Sequence, residues 1–147
     1  MLQELIDEAL IKAYMDYEKW QGFDDCAVAI LPNGQRAAVK LWQHRDTGLR
    51  TTVEYALQTI QQANGRSGFG LVYRKVSERE LLFLFAINDT EKGICALELK
   101  RETTNPVNDL VPIPEMSHDP DCSRIASFEW GATRRRVPVE ARDYITI

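Results

Sequence analysis

The chain has 147 residues, 44% of them hydrophobic and 27% charged, with a formal net charge of −4. That suits one globular domain and excludes a disordered polyelectrolyte, a collagen-like chain and a strongly basic nucleic-acid coat. No apolar run approaches the ~20 residues that cross a bilayer as a helix, so no membrane association is expected.

The chain opens on a stripe of Leu2, Leu5, Ile6, Ala9, Leu10, Ala13, Tyr14, Tyr17 and Trp20. Spacings of three and four predict a helix over 2–20, with Gly22 as its stop signal. The first residues are acidic and amphipathic, unlike a secretory signal or a mitochondrial transit peptide, which predicts a cytoplasmic protein. Next, two apolar runs flank Pro32-Asn33-Gly34 and predict a β-hairpin,. Pairing the larger aliphatic residues sets Cys26, Val28 and Ile30 opposite Leu41, Val39 and Ala37. The other face then carries Asp25, Ala27 and Ala29 against Trp42, Lys40 and Ala38, where three alanines leave room for a helix.

Residues 49–63 place Leu49, Val53, Ala56, Leu57, Ile60 and Ala63 on one stripe, a second helix ended by Asn64-Gly65,. Three strands are expected at 69–76, 81–88 and 94–101, joined by the polar connections 77–80 and 89–93. The middle strand is apolar on both faces and belongs in the centre of a sheet. In the third, Cys95, Leu97 and Leu99 face inward. From Thr103 to Ser123 the pattern breaks into a Pro-rich loop holding Pro106, Pro112, Pro114 and Pro120,. Residues 125–130 and 136–147 predict a final strand pair around Gly131-Ala132-Thr133. The expected fold is α+β: a mainly antiparallel sheet with two covering helices, arranged helix, hairpin, helix, three-strand meander, with the Pro-rich loop and C-terminal hairpin appended. It is one domain over 1–147, with its core in 1–102, the loop in 103–123 and the terminal strands in 124–147.

Charge is distributed in blocks of −5 over 1–25, +5 over 26–79, −6 over 80–121 and +2 over 122–147. Such blocks predict opposed surfaces of unlike sign, suited to self-association or a protein partner. The three cysteines, Cys26, Cys95 and Cys122, are odd in number and lack a C-x-x-C spacing. They predict reduced thiols, with no disulfide framework or zinc ribbon.

The patterns that could carry chemistry are sparse. Asp89 with Glu98-Leu99-Lys100 has the form D-x8-E-x-K of PD-(D/E)XK nucleases, in which two carboxylates hold a divalent ion and a lysine stabilises charge at the phosphate,. On the predicted hairpin those carboxylates stand ~15 Å apart at ~3.4 Å per residue, too far to share a metal. A second version uses Asp25 and Lys40, diagonal neighbours in the expected register, but Ala38 stands where the motif needs an acid. The cluster His118-Asp119-Pro120-Asp121-Cys122 reads as a polar turn, since adjacent residues rarely converge on one metal. Gly65, Gly68 and Gly70 precede a strand, unlike a phosphate loop. Neither a metal nor another cofactor is expected. Arg134, Arg135 and Arg136 beside Trp130 form a basic and aromatic patch, suited to a protein interface or to nucleic-acid stacking.

The opening helix 2–20, the segment Cys26–Leu31 with Pro32-Asn33-Gly34-Gln35, the helix 49–63 and the strands within 69–100 together resemble the Roadblock/dynein-light-chain and longin-like group of small domains. The resemblance covers about two-thirds of the chain and rests on topology. It implies a non-catalytic module that dimerises and docks protein partners, small GTPases among them. Three functions are therefore carried forward. The first is an intracellular interaction or scaffold module, contacting through the second helix, a strand edge, or the Pro-rich loop with Arg134–Arg136. The second is a degenerate nuclease-like or nucleic-acid-binding domain. The third is a small-molecule sensor using a sheet pocket beside Ala27, Ala29 and Ala38.

Overall fold

The computed structural model describes residues 2–41, 49–62, 67–100, 106–112, 123–124 and 144–146. Helix α1 covers Leu2–Trp20, the span its period predicts. Leu2, Leu5, Ile6, Ala9, Leu10, Ala13 and Tyr17 are buried along it, and Asp7 and Ile11 are buried as well. The helix is therefore covered more widely than its stripe foretold. Two expectations about its end change. Gln21, directly after the last helical residue, takes the left-handed conformation at φ 56°, and its N–H donates to the Tyr17 carbonyl at 2.8 Å. The left-handed cap belongs at that position, so Gly22 falls one residue too late to serve. Trp20 is 67% exposed. The chain turns back at once and sets Phe23 against Tyr17, ring centroids 5.4 Å apart, where the stripe would have put Trp20.

Strands β1 (Cys26–Ile30) and β2 (Arg36–Lys40) form the expected hairpin, but its register is one residue away from the expected one. Cys26 pairs with Lys40, Val28 with Ala38 and Ile30 with Arg36. The turn is the cause. Leu31 N–H bonds to Gln35 O, Gly34 N–H bonds to Leu31 O, and Gly34 alone in the loop has positive φ, at 83°. This is a three-residue loop, with Pro32 holding its fixed φ and the glycine in the left-handed position. The expected register needs a two-residue Asn-Gly turn, with positive φ at Asn33 also and Pro32 in the ladder. Because strand side chains alternate, the slip exchanges the faces of β2. Ala37 now shares a face with Ala27 and Ala29, while Ala38 moves to the other.

Helix α2 (Leu49–Gln62) is followed by the meander β3 (Ser67–Val76), β4 (Arg79–Ile87) and β5 (Lys92–Leu99). A 3-10 turn at Pro106–Asp109 and the short β6 (Leu110–Pro112) then add to β5 antiparallel. The start of the Pro-rich segment is thus built into the sheet, where a loop was expected. Val107 is fully buried and anchors it. Two short strands, β7 (Ser123–Arg124) and β8 (Tyr144–Thr146), run parallel to β5 and β2. They lie at opposite sides of the sheet; the first expected terminal strand, 125–130, and most of the second, 136–147, lie outside the described residues. The strand order is β6-β5-β4-β3-β1-β2-β8 with β7 beside β5. The fold is α+β, and the described residues hold six antiparallel strands and two α-helices.

The sheet is covered on both faces. On one face Val28, Phe69, Leu71, Leu82, Leu84, Ala86, Cys95, Leu97 and Leu99 pack with Leu5, Ile6, Ala9, Leu10 and Ala13 of α1. On the other, Ala27, Ala29, Val72, Leu81, Phe83, Phe85, Ile87, Ile94 and Ala96 pack with Ala56, Leu57 and Ile60 of α2. β4 is buried without interruption from Leu81 to Ile87, as its two-sided apolar pattern requires,. Gly68 permits the close approach of Ile60 on α2, and Gly70 that of the Phe85 ring across the sheet. A methyl at Gly68 would lie 2.4 Å from Val28 O and 2.9 Å from Ile60, and one at Gly70 would lie 2.2 Å from Phe85 Cζ. Phe85 stands directly across from Gly70 and lays its ring over the missing side chain,. Among the described residues no helix is long and apolar enough to cross a membrane.

Candidate functional site at the open end of strand β3

β1 begins only at Cys26, opposite Leu71, whereas antiparallel β3 continues past that point to Val76. The last turn of β3 therefore overruns its neighbour and leaves a notch, which the incoming chain at Phe23–Asp25 borders. The notch holds a cavity of about 290 Å³ lined by Phe23, Asp25, Tyr73, Arg74 and Lys75.

Asp25 organises this corner. Its side chain is 6% exposed. Oδ1 accepts the Tyr73 N–H at 2.9 Å, standing in for the strand that β1 no longer supplies, and Oδ2 accepts Arg74 Nη1 at 2.6 Å. Arg74 Nη1 also donates to the Tyr73 carbonyl at 2.7 Å, and Nη2 donates to Thr52 Oγ1 at 3.2 Å. Thr52 is fully buried on α2. One carboxylate and one guanidinium thus tie β1, β3 and α2 together. Each group's charge is matched, and both carboxylate oxygens are occupied.

The opposite wall is aromatic. Phe23 and Tyr73 stack with centroids 5.6 Å apart, and the Tyr73 hydroxyl donates to Glu80 Oε1 at 2.6 Å. Lys75 is exposed at the mouth and makes no ion pair among the described residues. Its backbone is also turned outward. Tyr73 points its N–H away from β4 to Asp25, and ladder hydrogen bonding alternates, so Lys75 two residues on directs its N–H and C=O the same way,. Among the described residues no strand pairs with β3 there.

The carboxylates of the nuclease-like patterns have other duties. Asp89 lies in the turn after β4, whereas Glu98 pairs with Leu81 at the opposite end of the β4–β5 ladder. Glu98 accepts from Arg79 Nε at 2.7 Å and from Lys100 Nζ at 3.2 Å. The Arg79 hydrogen bond first, then that of Lys100, hold its carboxyl below the ordinary range. Asp25 and Lys40 were expected to be diagonal neighbours on one face. With the observed register Asp25 lies opposite Leu41, whose N–H bonds to its carbonyl, and Lys40 lies opposite Cys26, a position on the other face. Among the described residues no three Asp, Glu, His or Cys side chains converge as a metal site. Ala27 and Ala29 are covered by α2, and Ala38 is on the far face, so these three alanines do not share the pocket expected of a sensor. Trp130, Arg134, Arg135, Arg136 and the His118–Cys122 cluster lie outside the described residues.

Charge blocks meet inside the molecule. Glu8 of α1 takes Arg36 of β2 in a two-pronged pair, with Arg36 Nε 2.7 Å from Glu8 Oε2. Asp25–Arg74 and Glu98–Arg79 also join acidic to basic blocks. These three ion pairs span two of the block contrasts that pointed to opposed surfaces, and there the charges serve the fold. Cys26 and Cys95 are buried, and burial pushes both thiols up to about 12. They are neutral at physiological pH and act as small apolar side chains.

The Asp25–Arg74–Thr52 network was not anticipated from sequence. Its signal was present: an arginine at a core-facing position of the 69–76 strand requires a buried acid, and Asp25 at the edge of an apolar strand is such an acid. Comparison with known proteins assigns no family to this arrangement, since no family model, curated protein or solved structure matches the chain.

Proposed function

We propose that this protein is a non-catalytic intracellular interaction or scaffold module that recognises protein partners through a sheet edge and self-associates. The observation that carries this reading is the overrun of β3 beyond β1, which leaves the Lys75 backbone groups outward beside an aromatic wall. Open strand edges are templates for pairing with another chain, and proteins that expose one usually guard or use it. Elsewhere the sheet is less available: helices cover both faces, and the short strands β6, β7 and β8 occupy the flanks. The likeness to Roadblock-type modules agrees with docking and dimerisation.

Light scattering on size-exclusion eluate tests the self-association. A dimer gives twice the 16.8 kDa chain mass at micromolar concentration. A strictly monomeric chain across that range contradicts it.

A further inference from the structure

We draw no further inference here: the strongest candidate, the strand-edge notch where β3 overruns β1 beside Phe23 and Asp25, belongs to the site already described, and nothing in the structure shows what covers it.

Discussion

Replacing Asp25 by alanine perturbs the corner on which the notch depends. The substitution removes the acceptor of Arg74 Nη1 at 2.6 Å and of Tyr73 N–H at 2.9 Å. Arg74 is left with Thr52 and the Tyr73 carbonyl, neither of which carries charge. Breaking a buried ion pair from one side typically costs about 3–5 kcal/mol. Arg74 keeps 19% of its side-chain surface exposed and the cavity admits water, so the lower end, about 3 kcal/mol, is expected here,. At about 2–4 °C per kcal/mol for a chain of this size, Tm should fall by roughly 6–12 °C. Asp25→Asn retains an acceptor for Tyr73 N–H and should cost less than alanine. Arg74→Met on the alanine background should recover part of the loss, because it removes the orphaned charge. Urea unfolding followed by circular dichroism, read as a double-mutant cycle, measures this. A coupling below about 0.5 kcal/mol, within the additivity of independent sites, would refute the claim that the pair ties β1, β3 and α2 together.

Gly70→Ala should destabilise by about 1–3 kcal/mol, the usual range for overpacking, since the added methyl meets both the Phe85 ring and the Cys26 carbonyl,; a neutral midpoint in denaturant would contradict the close packing of β3. Gly34→Ala should cost about 1 kcal/mol, because φ is 83° there although no atom obstructs the space,. Native protein should expose no more than one of its three thiols to a disulfide reagent at neutral pH, and all three in denaturant, since Cys26 and Cys95 are buried. Their raised values also predict alkaline unfolding. Thiols ionise at about 9 in the unfolded chain and at about 12 when folded, so their contribution is intact below pH 9 and is lost as pH climbs toward 12,. At about 1.4 kcal/mol per unit the loss approaches ~4 kcal/mol for each thiol. Cys26→Ala with Cys95→Ala should flatten that limb of the pH–stability curve, and an unchanged limb would contradict the assignment.

Local patterns carried much of the fold. The 3.6-residue stripe of α1 and the two-sided apolar run of β4 each describe how an element meets its surroundings, and those surroundings are uniform enough for the sequence to reveal them. The β1–β2 register was not legible by size matching, because Pro32-Asn33-Gly34 can close either a two- or a three-residue loop. What decides between them is that Pro32 fits the first position of a type I turn and cannot serve a ladder pair, a steric fact that outweighs pairing large aliphatics with one another. The Asp25–Arg74 bond joins residues 49 apart in sequence, so no periodicity reports it. The notch was out of reach for a related reason. It arises from a difference in length between two adjacent strands, and strand adjacency of β1 with β3 is a tertiary choice that neither strand's pattern records. Charge blocks misled for the complementary reason: Glu8 with Arg36 and Glu98 with Arg79 show that contrasts along the chain were satisfied across the fold.

The most direct measurement of the central claim is amide hydrogen exchange at the end of β3 in the free chain. The Lys75 N–H should exchange rapidly, while those of Arg74 and Val76, directed at β4, should be protected. A Lys75 amide already as protected as its neighbours in dilute, monomeric protein would mean that the edge is covered, and would contradict the account.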